Sequence, residues 1–278
     1  MMRSPASEQL LTIEAGRPPT RLIREAWEHR ELLLLLAWRD IAVRYKQTVL
    51  GVAWAVLRPL LMTLVFVAVF AVIVKVPSPD APYVLLVLSG LVLWQLISAT
   101  LSAASESLLG NASMLSKVYF SRILFPLSAA GAPLVDFLVG LALLAGVMIW
   151  HGVVPTWRIA LLPGLVVLAL CLALGAGLFL SAAVVRYRDL RHVVPFLLQI
   201  GLYASPIVYP SSLVPERWQL IYALNPAVGV IDGMRWALLG EAFLNLPALA
   251  LSIAITLSTV ALSIGYFRQV EHTLVDVL

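Results

Sequence analysis

Six runs of mostly apolar residues, near 51–76, 83–105, 124–150, 159–185, 193–208 and 246–267, leave this chain little choice of fold. About 20 apolar residues in a helix cross the hydrocarbon core of a bilayer, where every backbone polar group must be satisfied internally. The runs therefore predict an all-α integral membrane protein with six transmembrane helices. Composition agrees: 61% of the 278 residues are hydrophobic and 12% charged, more apolar side chain than a soluble domain of this size could bury. The fifth run is short and carries Pro195, Gly201 and Pro206. Proline removes a backbone donor and crowds the preceding turn, so this helix is expected to be kinked or partly unwound, against protein or a wet cavity. It is a candidate pore-lining segment.

Ahead of the first run lies a basic, amphipathic stretch. Residues 1–31 hold Arg3, Arg17, Arg21, Arg24 and Arg30 without an apolar core, so no secretory signal is expected there. From 20 to 50 the chain has helix-forming character, with Thr20 as a candidate cap, but its apolar run from Leu32 to Trp38 is too short to span. Trp27, Trp38 and the nearby cations predict an amphipathic helix lying in the headgroup plane. The division expected is a disordered cytoplasmic tail over 1–19, an interface helix over 20–50, a membrane domain over 51–268 and a second tail over 269–278.

Lys and Arg set the orientation. With the N-terminus inside, fifteen of the 19 fall on the cytoplasmic side, and Lys75, Arg158, Arg217 and Arg235 on the other. That bias predicts both termini in the cytoplasm. Two loops carry more than a connection needs. The segment 111–126 sets Lys117 and Arg122 among Val118, Tyr119, Phe120 and Ile123, the pattern of a short amphipathic helix that docks on a partner or under the membrane. Outside, 211–240 predicts two short helices, interfacial or re-entrant. The first is capped at Ser212 or a neighbour with Pro215 early in it; the second opens at Asn225 and Pro226 and ends at Gly240.

Enzyme chemistry finds little footing. A nucleotide-binding P-loop places Gly before its Lys, whereas Lys46, Lys75 and Lys117 follow Tyr45, Val74 and Ser116. The four histidines lie in separate segments without ligand spacing, and the one cysteine, Cys171, sits in an apolar run where packing is expected. No base-reading motif accompanies the basic charge, so no nucleic-acid partner is expected. Asp136, in the third run, is the ionisable residue most plainly at membrane depth; a polar cavity or a site near the interface is expected for it rather than a proton relay.

The order RDIAVRYKQTVLGVAWAVLRP, VYFSRILFP, VRYRDLRHVVP, ASPIVYP and LNPAVGVIDGMRWALLG, threaded through six spans, resembles the permease subunit of bacterial polysaccharide ABC exporters from about Thr20 onward. It is similar above all to the O-antigen type, with the capsule and teichoic-acid permeases related. The resemblance implies a type II ABC exporter permease in the bacterial inner membrane, forming a homodimer. Two copies of a separate ATPase subunit would power it, with ATP and magnesium bound there and no cofactor in this chain. In such a protein Lys117, Tyr119, Phe120 and Arg122 become the ATPase-coupling residues. A lipid-pyrophosphate anchor needs cations at the cytoplasmic interface, where Arg39, Arg44, Lys46 and Arg58 cluster; orientation alone is their other reading. Aromatics suit the apolar faces of sugar rings, making Trp54, Tyr203 and Tyr209 candidate pore-lining residues, though each serves equally well in an interfacial belt. Open alternatives are a permease for capsule or teichoic-acid polymer, one for a small lipid or drug, and a membrane glycosyltransferase or flippase acting without ATP.

Overall fold

The second apolar run becomes the helix on which the others lean. In the computed structural model, which describes residues 27–46, 53–78, 81–115, 121–240 and 244–271, every regular element among the described residues is helical. In chain order these are α1 (Arg30–Lys46), α2 (Ala53–Phe66, continued by a π-helical stretch over Val67–Ile73) and α3 (Tyr83–Gly110). The short α4 (Ala112–Leu115) and α5 (Leu124–Ser128) precede α6 (Gly131–Trp150) and α7 (Leu162–Arg186), the latter opened by a 3-10 turn over Trp157–Leu161. Then come α8 (Leu190–Ala204), α9 (Glu216–Tyr222), α10 (Pro226–Leu239) and α11 (Leu246–Glu271).

Five of these stretches are long and apolar enough to cross a membrane: Ala53–Ile73, Tyr83–Gly110, Leu124–Trp150, Trp157–Arg186 and Leu246–Val270. The fifth apolar run of the sequence is not among them. It forms α8, whose 15 residues run unbroken through Pro195 and Gly201. At 1.5 Å per residue that is about 22 Å, short of the ~30 Å hydrocarbon thickness. The break comes afterwards, at Ser205 and Pro206, where the chain leaves the helix.

Lipid tails are as apolar as Leu, so helices in a membrane associate through close packing and interhelical hydrogen bonds rather than hydrophobic exclusion. Small residues show this in α3, which is buried along most of its length. A Cβ on Gly177 of α7 would come within 2.6 Å of the Ala104 Cβ of α3, so any larger residue there would force the two backbones apart.

Two buried clusters divide the molecule. The larger joins α3, α6, α7 and α10 through Leu88, Leu91, Phe137, Leu144, Leu165, Ala169, Ile231 and Met234. The smaller closes the end where α1 lies: Leu36, fully buried, meets Leu108, Leu124, Phe125, Leu178 and Phe267. Elsewhere on α1, Leu34, Leu35 and Trp38, and Val43 near its end, are exposed. Helix α1 thus has an apolar face on the bundle and further apolar side chains that no protein covers among the described residues.

At the far end, α10 starts and stops where its sequence signals place it. The Asn225 side chain accepts from the Ala227 N–H at 3.1 Å, Pro226 occupies the first turn, and Gly240 closes the helix at φ 74°, a left-handed conformation suited to glycine. Helix α9 begins differently from expectation. Ser212 lies within a separate 3-10 turn, Ser211–Leu213, and Pro215 takes the cap position with no side-chain cap bond. Cys171 is also not packed as expected: it lies on the exposed face of α7. Thr20, the tail over 1–19 and residues 272–278 of the tail expected over 269–278 fall outside the described residues, while 269–271 continue α11.

Candidate functional site

Between the helices lies a cavity of about 860 Å³ bounded by α1, α2, α3, α6 and α8. Helical periodicity explains its lining. Trp54 and Arg58 stand four apart on α2, Gln95, Ser98 and Ser102 lie on one stripe of α3, and Pro195, Gln199 and Leu202 follow the same rule on α8. The end of α1 adds Arg44 and Tyr45, and the start of α6 adds Pro133, Asp136 and Phe137.

Trp94 of α3 is nearly buried and lies against Gly201 of α8; a Cβ at position 201 would come within 2.6 Å of the indole Cη2. Glycine is required there because the ring occupies the side chain's space. The glycine read in the sequence as weakening the fifth run is instead what lets α8 close on α3.

Charge is concentrated at the α1 side of the hollow. The Arg44 guanidinium reaches a carboxylate oxygen of Asp136 at 2.6 Å, and the Tyr45 hydroxyl donates to the other Asp136 oxygen. Burial, followed by that bond to Asp136, pushes the Tyr45 phenol up to about 12, so it stays a donor at neutral pH. Arg58, on an exposed turn of α2, makes no ion pair among the described residues. Asp136 both faces the polar cavity and is paired, which accounts for a carboxylate inside an apolar run.

The lining combines three chemistries. Indole faces at Trp54 and Trp94 suit the C–H faces of sugar rings, amides at Gln95 and Gln199 exchange hydrogen bonds with hydroxyls, and Arg44 and Arg58 attract anions. Of the basic residues singled out by sequence, Arg44 and Arg58 line the cavity and Arg39 and Lys46 do not. Arg39 donates to its neighbour Asp40 at 2.8 Å and lies 3.8 Å from the Met114 sulfur, and Lys46 ends α1 on its exposed side. Of the aromatics, Trp54 lines it. Tyr203 projects from α8 elsewhere and is exposed, while the Tyr209 hydroxyl accepts from that of Tyr222 at 3.2 Å in the loop beyond α8. Arg122 is half-buried beside the buried Ile123, Leu124 and Phe125; Lys117, Tyr119 and Phe120 lie outside the described residues. Sequence reasoning missed Trp94, Gln95 and Gln199. The signal for the two amides was there, since a lone polar side chain inside an apolar run generally faces protein or water.

The broken end of α8 is held by a second polar group. Arg235 of α10, fully buried, donates from Nη2 to the carbonyls of Leu86 and Ile207, each at 3.0 Å, and from Nη1 to that of Tyr209 at 3.4 Å. Asn225 adds bonds to the Ala204 carbonyl at 3.2 Å and the Ser205 hydroxyl at 2.9 Å, and the Tyr83 hydroxyl donates to the Val208 carbonyl. Arg235 was counted from sequence as an external loop charge; in the structure it is an internal brace between α10, α3 and the end of α8.

Comparison with known proteins points one way. Residues 31–239 match the ABC-2 type transporter family. A Myxococcus xanthus O-antigen export system permease protein, RfbA, is 32% identical over 213 residues, covering 76% of this chain and 81% of its own. A Klebsiella pneumoniae RfbA is 26% identical over 254 residues, 89% of this chain and 95% of its own. The polysialic acid transport protein KpsM of Escherichia coli is 22% identical over 250 residues, 85% and 92% respectively.

Proposed function

The chain belongs to the ABC-2 type transporter family, and from that premise we propose that it is the permease of an exporter carrying a lipid-linked polysaccharide across the bacterial inner membrane. The observation that carries this reading is the cavity between α2 and α8, where two indoles, two amides and two guanidinium groups line one hollow. A small apolar drug has no use for that many polar groups; a glycan on an anionic anchor uses all three kinds. The naming of similar proteins after O-antigen and polysialic acid export supports the same substrate class.

In this reading α8 together with residues 205–210 makes the sixth crossing, and α1 lies in the headgroup plane with Trp38 and Val43 toward lipid. Both termini face the cytoplasm. Helices α9 and α10 are the interfacial or re-entrant pair outside. A hollow of this size holds a few sugars rather than a polymer, so two copies of the chain together form the conduit. ATP is hydrolysed by two copies of a separate subunit, which the segment 111–126 contacts through Lys117, Tyr119, Phe120 and Arg122. Arg44 and Arg58 face the pyrophosphate of the anchor, with Arg39 and Lys46 on the approach, and Trp54 takes the first sugars while Tyr203 and Tyr209 lie further along the path.

Deleting the chromosomal copy tests this. Surface polysaccharide should vanish while lipid-linked polymer accumulates on the inner leaflet, and the polymer that accumulates identifies the cargo as O-antigen or capsule. Unchanged surface glycan in the deletion strain would exclude the reading.

A further inference from the structure

Asp136 is an awkward residue for an anion-binding site. Its carboxylate lies 2.6 Å from the Arg44 guanidinium, inside the lining that is to receive a negatively charged headgroup. Were its role only to neutralise Arg44, the Tyr45 hydroxyl would be superfluous; yet Tyr45, the next residue on α1, donates to the second carboxylate oxygen. The pair is also open to exchange. The side chains of Arg44 and Asp136 retain 39% and 22% of their exposure, and an ion pair that water reaches is held weakly. With Arg44 engaged, Arg58 is the cavity guanidinium that makes no ion pair among the described residues; with Arg44 released, both are open to an anion.

We propose that Asp136 is a gating carboxylate that holds Arg44 in reserve until a diphosphate headgroup takes the guanidinium from it. This rests on the reading of the cavity as a site for an anionic lipid-linked substrate. A diphosphate diester carries about two negative charges, matching Arg44 and Arg58 together, and binds guanidinium in a bidentate fashion that one carboxylate cannot match against both. When Arg44 turns to the ligand, Tyr45 remains as the hydrogen-bond donor to Asp136, so the carboxylate is not stranded at membrane depth. Because Arg44 belongs to α1 and Asp136 to α6, the exchange also unfastens the end of α1 from α6 on the side of the cavity facing α2. Neutral lipids and monovalent phospholipid headgroups, offering less charge, leave the latch closed.

The test is binding of farnesyl pyrophosphate, inorganic pyrophosphate and farnesol to the full chain in phosphatidylcholine nanodiscs, followed by quenching of tryptophan fluorescence. Asp136→Asn should tighten farnesyl pyrophosphate binding about fivefold, the size of one exposed charge pair, and Asp136→Glu should restore the natural affinity. Arg44→Gln should weaken it, and Asp136→Asn should add nothing in that background. Tyr45→Phe, which removes the fallback donor and leaves the ion pair intact, should weaken binding two- to threefold, a direction opposite to Asp136→Asn. Farnesol affinity should stay level throughout, which a merely structural role would not predict. Tightening confined to farnesyl pyrophosphate assigns a lipid-borne headgroup; tightening shared by inorganic pyrophosphate assigns the diphosphate alone, and either supports the gate. Affinity unchanged or weakened in Asp136→Asn, alongside a loss in Arg44→Gln, overturns the gate and leaves the substrate site standing. Absence of diphosphate binding by the unaltered chain overturns both.

Discussion

The Arg235 guanidinium meets the Leu86 carbonyl at 3.0 Å across 149 positions of sequence, fixing α10 to the first turn of α3. The same Nη2 also satisfies the Ile207 carbonyl, in the non-helical segment after α8 where no helix bond is available. Arg235 is therefore the reason a broken helix end is tolerated inside the fold.

Replacing Arg235 by Met keeps much of its volume and removes the donors. The bonds lost at the Ile207 and Tyr209 carbonyls, with Asp232 left beside them 4.0 Å from where the guanidinium stood, should cost about 2–4 kcal/mol. A clear fall in the thermal midpoint of the detergent-purified chain is expected. Adding Asp232→Asn should recover part of that loss, since it removes the stranded charge. A midpoint unmoved by Arg235→Met would show that water replaces the brace.

Gly201→Ala places a methyl where the Trp94 indole already sits. Overpacking of this kind costs about 1–3 kcal/mol and should displace α8 from α3, deforming the cavity. Surface polysaccharide should drop several-fold at normal levels of inserted protein. Trp94→Phe shortens the ring at the colliding edge, so the double variant should export better than Gly201→Ala alone; a double variant that exports worse would place the defect elsewhere.

How much of this was legible beforehand depended on whether the information was local. Caps and stops were: Asn225 with Pro226 opens α10 and Gly240 closes it, because each acts within one helical turn. Arg44, Arg58 and Trp54 could be grouped because they sit close together in sequence. Gln95, Gln199 and Asp136 belong to three helices far apart in the chain, and only packing assembles them. Tyr203 shows the limit of proximity: Leu202 beside it lines the cavity, while a one-residue step of 100° turns Tyr203 away. Arg235 was invisible as a brace, since a helix rich in starts and stops gives no sign of whether water surrounds it.

Orientation can be checked with single cysteines, because Cys171 is the one native thiol and Cys171→Ser removes it. Cysteine introduced at position 117 should react with an impermeant maleimide only after the cells are opened, and cysteine at 158 in intact cells, as the charge bias requires even with the buried Arg235 left out of the count. Labelling of position 117 in intact cells would invert the topology.

The proposed ATPase contact has its own test. Interface energy concentrates in a few aromatic and Arg anchors, so Phe120→Ala should cost about 2 kcal/mol of association, some thirtyfold in affinity. A Tyr119→Ala, Phe120→Ala double variant should insert normally, copurify with far less ATPase and export poorly. Undiminished copurification would move the contact to another loop.

The route into the cavity is set by the cost of wetting a lipid. A polymer on a polyprenyl tail cannot approach from the aqueous side with its tail exposed, since each methylene in water costs about 0.8 kcal/mol. In the proposed reading it passes sideways from the bilayer, and the seam proposed for it runs between α2 and α8, where Met62 and Leu202 both line the cavity. Both residues are apolar, so in that reading the tail remains in lipid while Arg44, Arg58 and Trp54 take the headgroup and first sugars. Cysteines at 62 and 202 in the Cys171→Ser background, bridged by a short bis-methanethiosulfonate, should arrest export, and reduction should restore it. The clamp should depress substrate-stimulated ATP hydrolysis more than basal hydrolysis, because it bars the cargo and leaves the motor free. Export at the normal rate by a fully bridged protein would mean that the lipid passes through a different seam.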